Sequence, residues 1–432
     1  MERHGPSSPR GPQLRVVAAV FRGGLTGCLF LSGLWPGMGC VELAPGEGLW
    51  VSGPARVEVS SGELLASGYT IAAGGEALVR GVRGFTFYAT TASRVCVSLG
   101  AGASMNRVSE GYDVALSWLK LGEELARSGV HRVLVVGPVE SGKSTLTAWL
   151  RNILGACVVE ADVGQNELGT PAMVSYAPFD GAKLVLEDAG AVGGFFVGHV
   201  SAERAAELVV AATARAAMRC GGQRIVVDTD GYVQGRGVVY KAALAETLNV
   251  DVVISLDQGL AKALRARGLE VVEAPQPRLR RERSRHDRRV FRQRLYTRLF
   301  AEARTLVLRD VDIVNLCNYS VEGDNVIYDC AGKLIVESRR KPQQGFWLRP
   351  GWARGLLAGL HTRDGDVLAF VESFNPVEPR LVVKVGRDIE PNAVHGVTLG
   401  WVRLGDNYVE QEHLPVDVYP LAVLRSKQVR RR

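Results

Sequence analysis

Residues 137–145 read Gly137-Pro138-Val139-Glu140-Ser141-Gly142-Lys143-Ser144-Thr145 and fit G-x-x-x-x-G-K-[ST], the phosphate-binding loop of nucleoside-triphosphate enzymes. Before it, Val133-Leu134-Val135-Val136 is short, apolar and β-branched, as a buried parallel strand should be. After it, Leu146 to Ile153 has helical composition. Strand, loop and helix thus come in the order the chemistry needs. Gly137 and Gly142 let backbone N–H groups turn toward a triphosphate, and the new helix offers its positive end to the same anion. Lys143 is placed to reach the β- and γ-phosphates, and Ser144 to set a hydroxyl on Mg²⁺. The whole loop, Gly137 through Thr145, is therefore the expected ATP-binding element. A chance glycine-rich turn would lack both flanks.

Outward from this loop the chain alternates apolar runs with helical segments from about 130 to 310. Arg132–Val136, Ala156–Glu160, Lys183–Leu186, Arg224–Val227, Val250–Leu256 and Glu270–Val272 read as strands, and the Ala-rich segment 202–218 as a helix. That pattern predicts an α/β fold with a parallel sheet. Residues 39–115 alternate short apolar runs with glycine turns, as in a small all-β domain, and end in a helix starting near Asp113. Residues 277–304 read as a very basic helix, and from 311 onward short strands and turns return. The expected organisation is an extension over 1–38, an N-terminal β domain over 39–115, a P-loop kinase domain with an Arg-rich lid over 116–310, and a C-terminal β domain over 311–432. The extension is expected to be disordered, or to lie upstream of a true start at Met38.

Composition sets the bounds. The 432 residues suffice for two or three domains, and 47% hydrophobic with 22% charged residues describes an ordinary globular protein. The net charge of +7 suits a polyanionic partner. The apolar stretch near Gly24–Cys40 is too short and broken for a membrane span. Seven scattered cysteines without a C-x-x-C pair read as reduced thiols of a cytoplasmic protein with no zinc site.

Two acidic strand ends carry the candidate chemistry. Glu160-Ala161-Asp162-Val163-Gly164-Gln165 follows the second core strand, where ligands of α/β sheets bind. A carboxylate there can hold Mg²⁺ through water or take a proton from a nucleophilic hydroxyl. Ile225-Val226-Val227-Asp228 has the form of a Walker-B strand, and Tyr232 offers an aromatic face just beyond it. No Asn-Lys-x-Asp follows, which argues against a switch GTPase though not against use of GTP. The run from Arg278 to Arg309 includes Arg280, Arg281, Arg283, Arg285, Arg288, Arg289, Arg292 and Arg294. Such a run is usually a solvated face. Following the last core strand, it is also placed to close as a lid over a transferring phosphoryl group, where arginines are worth roughly 10³-fold in rate.

Taken together these motifs resemble the 5′-hydroxyl polynucleotide kinases of RNA 3′-end processing, tRNA splicing and ribosomal RNA processing, in an archaeal-type member. Residues 160–165 are similar to the family's [DE]-x-D-x-G-Q, which implies Asp162 as general base and Mg²⁺-water ligand, with Ser144 and Asp228 also at the metal. Residues 228–233 resemble [ND]-T-x-G-W-V with Tyr232 in place of Trp, implying that Gln165 and Tyr232 face the RNA. Residues 283–288 are similar to the lid motif R-S-x-x-x-R, implying catalytic roles for Arg283 and Arg288 beside Lys143. Gly355 to Leu360 looks like the opening run of the family's C-terminal domain. Phe196 to Ala202 matches the lysine clasp F-x-G-[SN]-T-[ST]-P only in part: His199 and Val200 replace polar residues and Ala202 replaces Pro, leaving Ser201 to contact the loop lysine. The resemblance implies transfer of the γ-phosphate of ATP or GTP to the 5′-OH of RNA, with DNA left open, and RNA-processing proteins as further partners. The altered clasp also permits a non-catalytic ATP-binding scaffold. A small-metabolite kinase fits the basic lid and flanking β domains less well.

Overall fold

The computed structural model describes residues 38–80, 84–277, 284–330, 332–340, 342 and 346–414. Residues 1–37, Arg280, Arg281, Arg283 and the basic tail after Leu414 lie outside them, so the start-site expectation and one lid arginine fall there too.

The chain divides into two compact units, one of residues up to Leu64 with Ile71–Val108, the other of Leu65–Thr70 with everything from Ser109. The first unit is built of antiparallel strands. One sheet runs Met38–Leu43, Ser93–Leu99, Ala55–Ser61, Glu76–Val79. Alternation puts Ala55, Val57 and Val59 inside and leaves Arg56 and Glu58 partly exposed, the period-2 signature of a sheet with one buried face.

The second unit centres on a seven-stranded sheet ordered Gly193–Phe196, Met173–Ala177, Cys157–Glu160, Ile225–Asp228, Arg132–Val136, Val252–Ser255, Val271–Glu273. Val133, Leu134, Val135 and Val136 are at most 1% exposed, each worth about 1.5–3 kcal/mol of burial. The five strands from Cys157–Glu160 to Val271–Glu273 are parallel. Met173–Ala177 pairs antiparallel with Cys157–Glu160, and Gly193–Phe196 pairs antiparallel with Met173–Ala177 and so runs with the other five, making the sheet mixed rather than parallel throughout. Lys183–Leu186 is not a strand. Its backbone is held by side chains instead: Asn152 accepts from Lys183 N–H at 3.0 Å and donates to its carbonyl at 2.8 Å, and Ser67 donates to the Leu184 carbonyl at 2.7 Å.

The basic helix is Arg285–Phe300, shorter than the expected 277–304. Ser284 caps it, accepting from Asp287 N–H at 3.1 Å while Asp287 accepts from Ser284 N–H at 2.8 Å. Beyond it, a six-stranded sheet ordered Arg304–Arg309, Arg380–Val385, Gly365–Asn375, Leu356–Thr362, Gly396–Leu404, Glu410–His413 packs with a four-stranded sheet of Asn318–Glu322, Asn325–Asp329, Leu334–Glu337 and Phe346–Leu348. The edge strand of the central sheet meets the six-stranded sheet closely. A Cβ on Gly359 would lie 2.3 Å from the Phe196 ring, and buried Asp366 accepts from Phe196 N–H at 2.8 Å.

Six cysteines are paired, as Cys40–Cys96, Cys157–Cys220 and Cys317–Cys330, which corrects the reading of reduced thiols. Sheet register explains the first: Cys40 and Cys96 are directly opposed on antiparallel neighbours. Partners 56 and 63 residues apart in the other direction of the chain leave no local spacing signal.

Candidate functional site

The phosphate loop leaves the C-terminal end of Arg132–Val136 and enters the helix Lys143–Leu154. Gly142 precedes that helix at φ 97°, which only glycine adopts without strain, and Glu140 also has positive φ. Lys143 is 7% exposed and donates Nζ to the Pro138 carbonyl at 2.7 Å, folding back across the loop. Ser141 is buried and Thr145 and Val139 are exposed. The Ser144 hydroxyl lies near the Asp228 carboxylate and holds its pKa down against burial.

Parallel register sets Glu160 directly beside Asp228. Both are fully buried, and Glu160 Oε2 and Asp228 Oδ2 have no hydrogen-bond partner. Burial raises both carboxyls above their ordinary range, and for Glu160 the neighbouring Asp228 and Asp162 add to it. Two orphaned carboxylate oxygens and a serine hydroxyl form a hard-oxygen donor set that fits Mg²⁺. Among the described residues no three His, Cys, Asp or Glu are grouped so as to hold a metal ion by themselves.

Asp162 stands over this pair. Its Oδ1 accepts from Gly164 N–H and Gln165 N–H, both at 2.9 Å, while Oδ2 takes no hydrogen bond among the described residues. Burial, then Asp230, push its carboxyl up against the pull of those N–H groups and of Lys143. Gln165 Nε2 donates to the Gly164 carbonyl at 2.8 Å and to the Arg288 carbonyl at 3.4 Å, tying the acidic loop to the basic helix Arg285–Phe300. Arg288 reaches back to the phosphate loop, its Nη1 lying 3.6 Å from Glu140 Oε1. The structure thus brings together Lys143, Ser144, Glu160, Asp162, Gln165, Asp228 and Arg288.

It does not bring the Ser201 hydroxyl onto Lys143. Ser201 N–H donates to His199 Nδ1 at 3.0 Å, and Lys143 uses the Pro138 carbonyl instead. Tyr232 stacks on Tyr240 at 6.3 Å between centroids rather than standing free.

Sequence reading missed what lies under Tyr232. Asp230 Oδ1 accepts from Tyr232 N–H at 2.8 Å, and Oδ2 accepts from the Tyr240 hydroxyl at 2.8 Å. Fully buried Lys241 lies 3.0 Å from the same oxygen, an ion pair off the line of a hydrogen bond. The available signal was a lysine at position 241 in the apolar stripe Gly237, Leu244, Ala245, Leu248 of the helix Arg236–Leu248.

His199 is buried, and burial, then His413 and Arg204, push its imidazole down to about 4. Between pH 6.5 and 4 the folded chain therefore binds fewer protons here than the unfolded chain, so stability falls as pH falls through that window. At pH 5 the loss is on the order of 2 kcal/mol. Melting curves at pH 7.5 and 5 should show a smaller acid-side drop in His199→Asn than in the parent; equal drops would mean that the imidazole is not held neutral.

Residues 137–302 match the family described as "mRNA cleavage and polyadenylation factor CLP1 P-loop". This match makes the P-loop region similar to that family. The chain is 27% identical to a polyribonucleotide 5′-hydroxyl-kinase of Pyrococcus horikoshii over 194 residues, 42% of this chain and 53% of the relative. It is 31% identical to one of Thermococcus kodakarensis over 176 residues, 38% and 50% of the two chains. The match thus spans about half the length of these relatives. The solved Clp1p–Pcf11p complex contains a chain similar in fold, with TM-score 0.59 at 14% identity over 86% of this chain and 99% of the other. Among the described residues no helix is long and apolar enough to cross a membrane.

Proposed function

We propose that this chain is a polynucleotide 5′-hydroxyl kinase that moves the γ-phosphate of ATP or GTP to the 5′-OH of RNA. The observation that carries the reading is Asp162: one oxygen is fixed by two backbone N–H groups and the other is left open, between the phosphate loop and the lid. Resemblance to the archaeal kinases supports the same chemistry. The proposed architecture is a CLP1-type kinase domain flanked by two β domains.

In this reading the loop N–H groups and Lys143 bind the triphosphate, and Lys143 leaves the Pro138 carbonyl to do so. Asp162 Oδ2 accepts the proton of the 5′-hydroxyl, whose oxygen attacks the γ-phosphorus in line. The bond from that phosphorus to the β–γ bridging oxygen breaks, leaving a nucleoside diphosphate and a 5′-phosphorylated end. Lys143 and Arg288 neutralise the charge spread over the transferring group. Ser144, Asp228 and Asp162 would hold Mg²⁺, which would neutralise phosphate charge during transfer. Tyr232, braced by Tyr240 and Asp230, offers its ring to the terminal base. A cytoplasmic location stays part of the proposal, since intracellular disulfides occur in hyperthermophilic archaea.

The direct test is transfer of labelled γ-phosphate to a panel of 5′-OH RNA and DNA oligonucleotides. Thermal stabilisation by ATP with no transfer to any of them would favour the scaffold reading. In the same assay Arg288→Ala should lower kcat roughly 10²-fold with little change in nucleotide KM. Arg288→Lys should recover only part of it, because a point charge lacks the guanidinium fork. A shared mild rise in KM for RNA across all lid arginines would reduce the segment to an electrostatic patch.

A further inference from the structure

The lid helix Arg285–Phe300 is gripped at two successive turns. At the first, the Arg288 carbonyl takes Gln165 Nε2 and the Arg288 guanidinium faces Glu140. One turn later Arg292 gives both Nε and Nη2 to the Glu410 carboxylate, Nη2 at 2.8 Å from Oε2. Arg289 donates to the Glu410 backbone carbonyl. His413 Nε2 lies 3.0 Å from the same Oε2. Glu410 is 4% exposed and sits on the edge strand Glu410–His413 of the C-terminal sheet, 118 residues from Arg292.

This is an oriented joint. A two-pronged arginine–carboxylate contact fixes both distance and plane, which a single point charge does not. Burial of Glu410 alone would raise its carboxyl, yet Arg292 and His413 hold it down to about 2, so the joint stays charged over the working pH range. Arg288 and Arg292 are four residues apart and share a helix face. Arg292 is also near enough to Asp162 to feel its charge. Whatever sets the rotation of Arg292 therefore sets how Arg288 stands over the phosphate loop.

We propose that Glu410 is a positioning residue for phosphoryl transfer: by seating Arg292 and Arg289 it fixes the lid helix so that Arg288 points at the phosphate loop. The inference rests on the kinase reading above. A surface strand near the end of the second β region thereby becomes part of the kinase site without touching substrate.

The test uses the full chain with Glu410→Gln, which keeps volume and loses charge, and Glu410→Asp, which keeps charge and shortens the arm. Two readouts are taken well below the melting temperature. Hydrogen exchange of residues 285–300 should speed about ten-fold in Glu410→Gln while the central sheet is unchanged. Phosphate transfer should show kcat lowered about ten-fold with nucleotide KM within about two-fold. Adding Glu410→Gln to Arg288→Ala should cost less than either change alone suggests, because the two act on one guanidinium. Glu410→Asp should give smaller losses in both readouts. Uniform deprotection of the whole molecule, or a loosened lid with unchanged kcat, would overturn the proposal. If the unaltered chain transfers no phosphate, the kinase reading fails by itself. Local deprotection of 285–300 would then still support Glu410 as the lid's seat, and its absence would overturn that too.

Discussion

Lys143→Ala is expected to abolish phosphate transfer, by roughly 10³-fold or more in kcat, while leaving the fold intact. The lysine is the first residue of the helix Lys143–Leu154, and its ammonium lies over the loop on the Pro138 carbonyl at 2.7 Å. Alanine is a good helix former there, so the helix should persist. What disappears is the one cation anchored within the loop itself. The Pro138 carbonyl is partly exposed and can turn to water, so no strongly buried acceptor is stranded. Circular dichroism and melting should match the parent, and transfer above a few per cent of the parent rate would refute the assignment.

Asp162→Asn is expected to lower kcat by more than about 10²-fold with nucleotide affinity changed only a few-fold. The amide oxygen can still accept from Gly164 and Gln165, so the loop should hold its shape. What is lost is the basicity of the open oxygen. Glu160→Gln and Asp228→Asn are the controls, since both carboxyls are buried side by side rather than open to an acceptor. Near-normal turnover in Asp162→Asn, with either control dead, would move the base to that control. Kinetics of the three variants side by side decide it.

The elements that sequence reading placed well share a physical feature: their signal is local. Val133–Val136 is a β-branched run against a glycine loop, and the helix Ala202–Met218 is a long alanine-rich segment, so each is written within a few residues. Asp162, Gln165 and Arg288 were named from short motifs, and the fold brings them to one place. The features that escaped depend on distant partners. Met173–Ala177 and Gly193–Phe196 are short, the latter opening on two glycines, and nothing in either run says it pairs antiparallel. Arg289 and Arg292 read as members of a solvated charge run until Glu410 arrives from the far end of the chain. Lys241 was legible in part, as a charge in an apolar stripe, but its partner Asp230 was not.

The contact between Arg288 and Glu140 has a consequence for how this site fills. Side chains of both are less than one-third exposed, and their charged atoms lie 3.6 Å apart. In the proposed kinase, nucleotide binding would then be an ion exchange within the protein, in which a phosphate takes over from a carboxylate and the carboxylate turns outward. Part of the cation's attraction is spent on the incumbent, which weakens ground-state affinity without touching the later stage, when the charge on the transferring group is spread and the guanidinium fits it best. Added salt screens incumbent and newcomer alike, so affinity should vary less steeply with ionic strength than the density of arginine along this helix suggests.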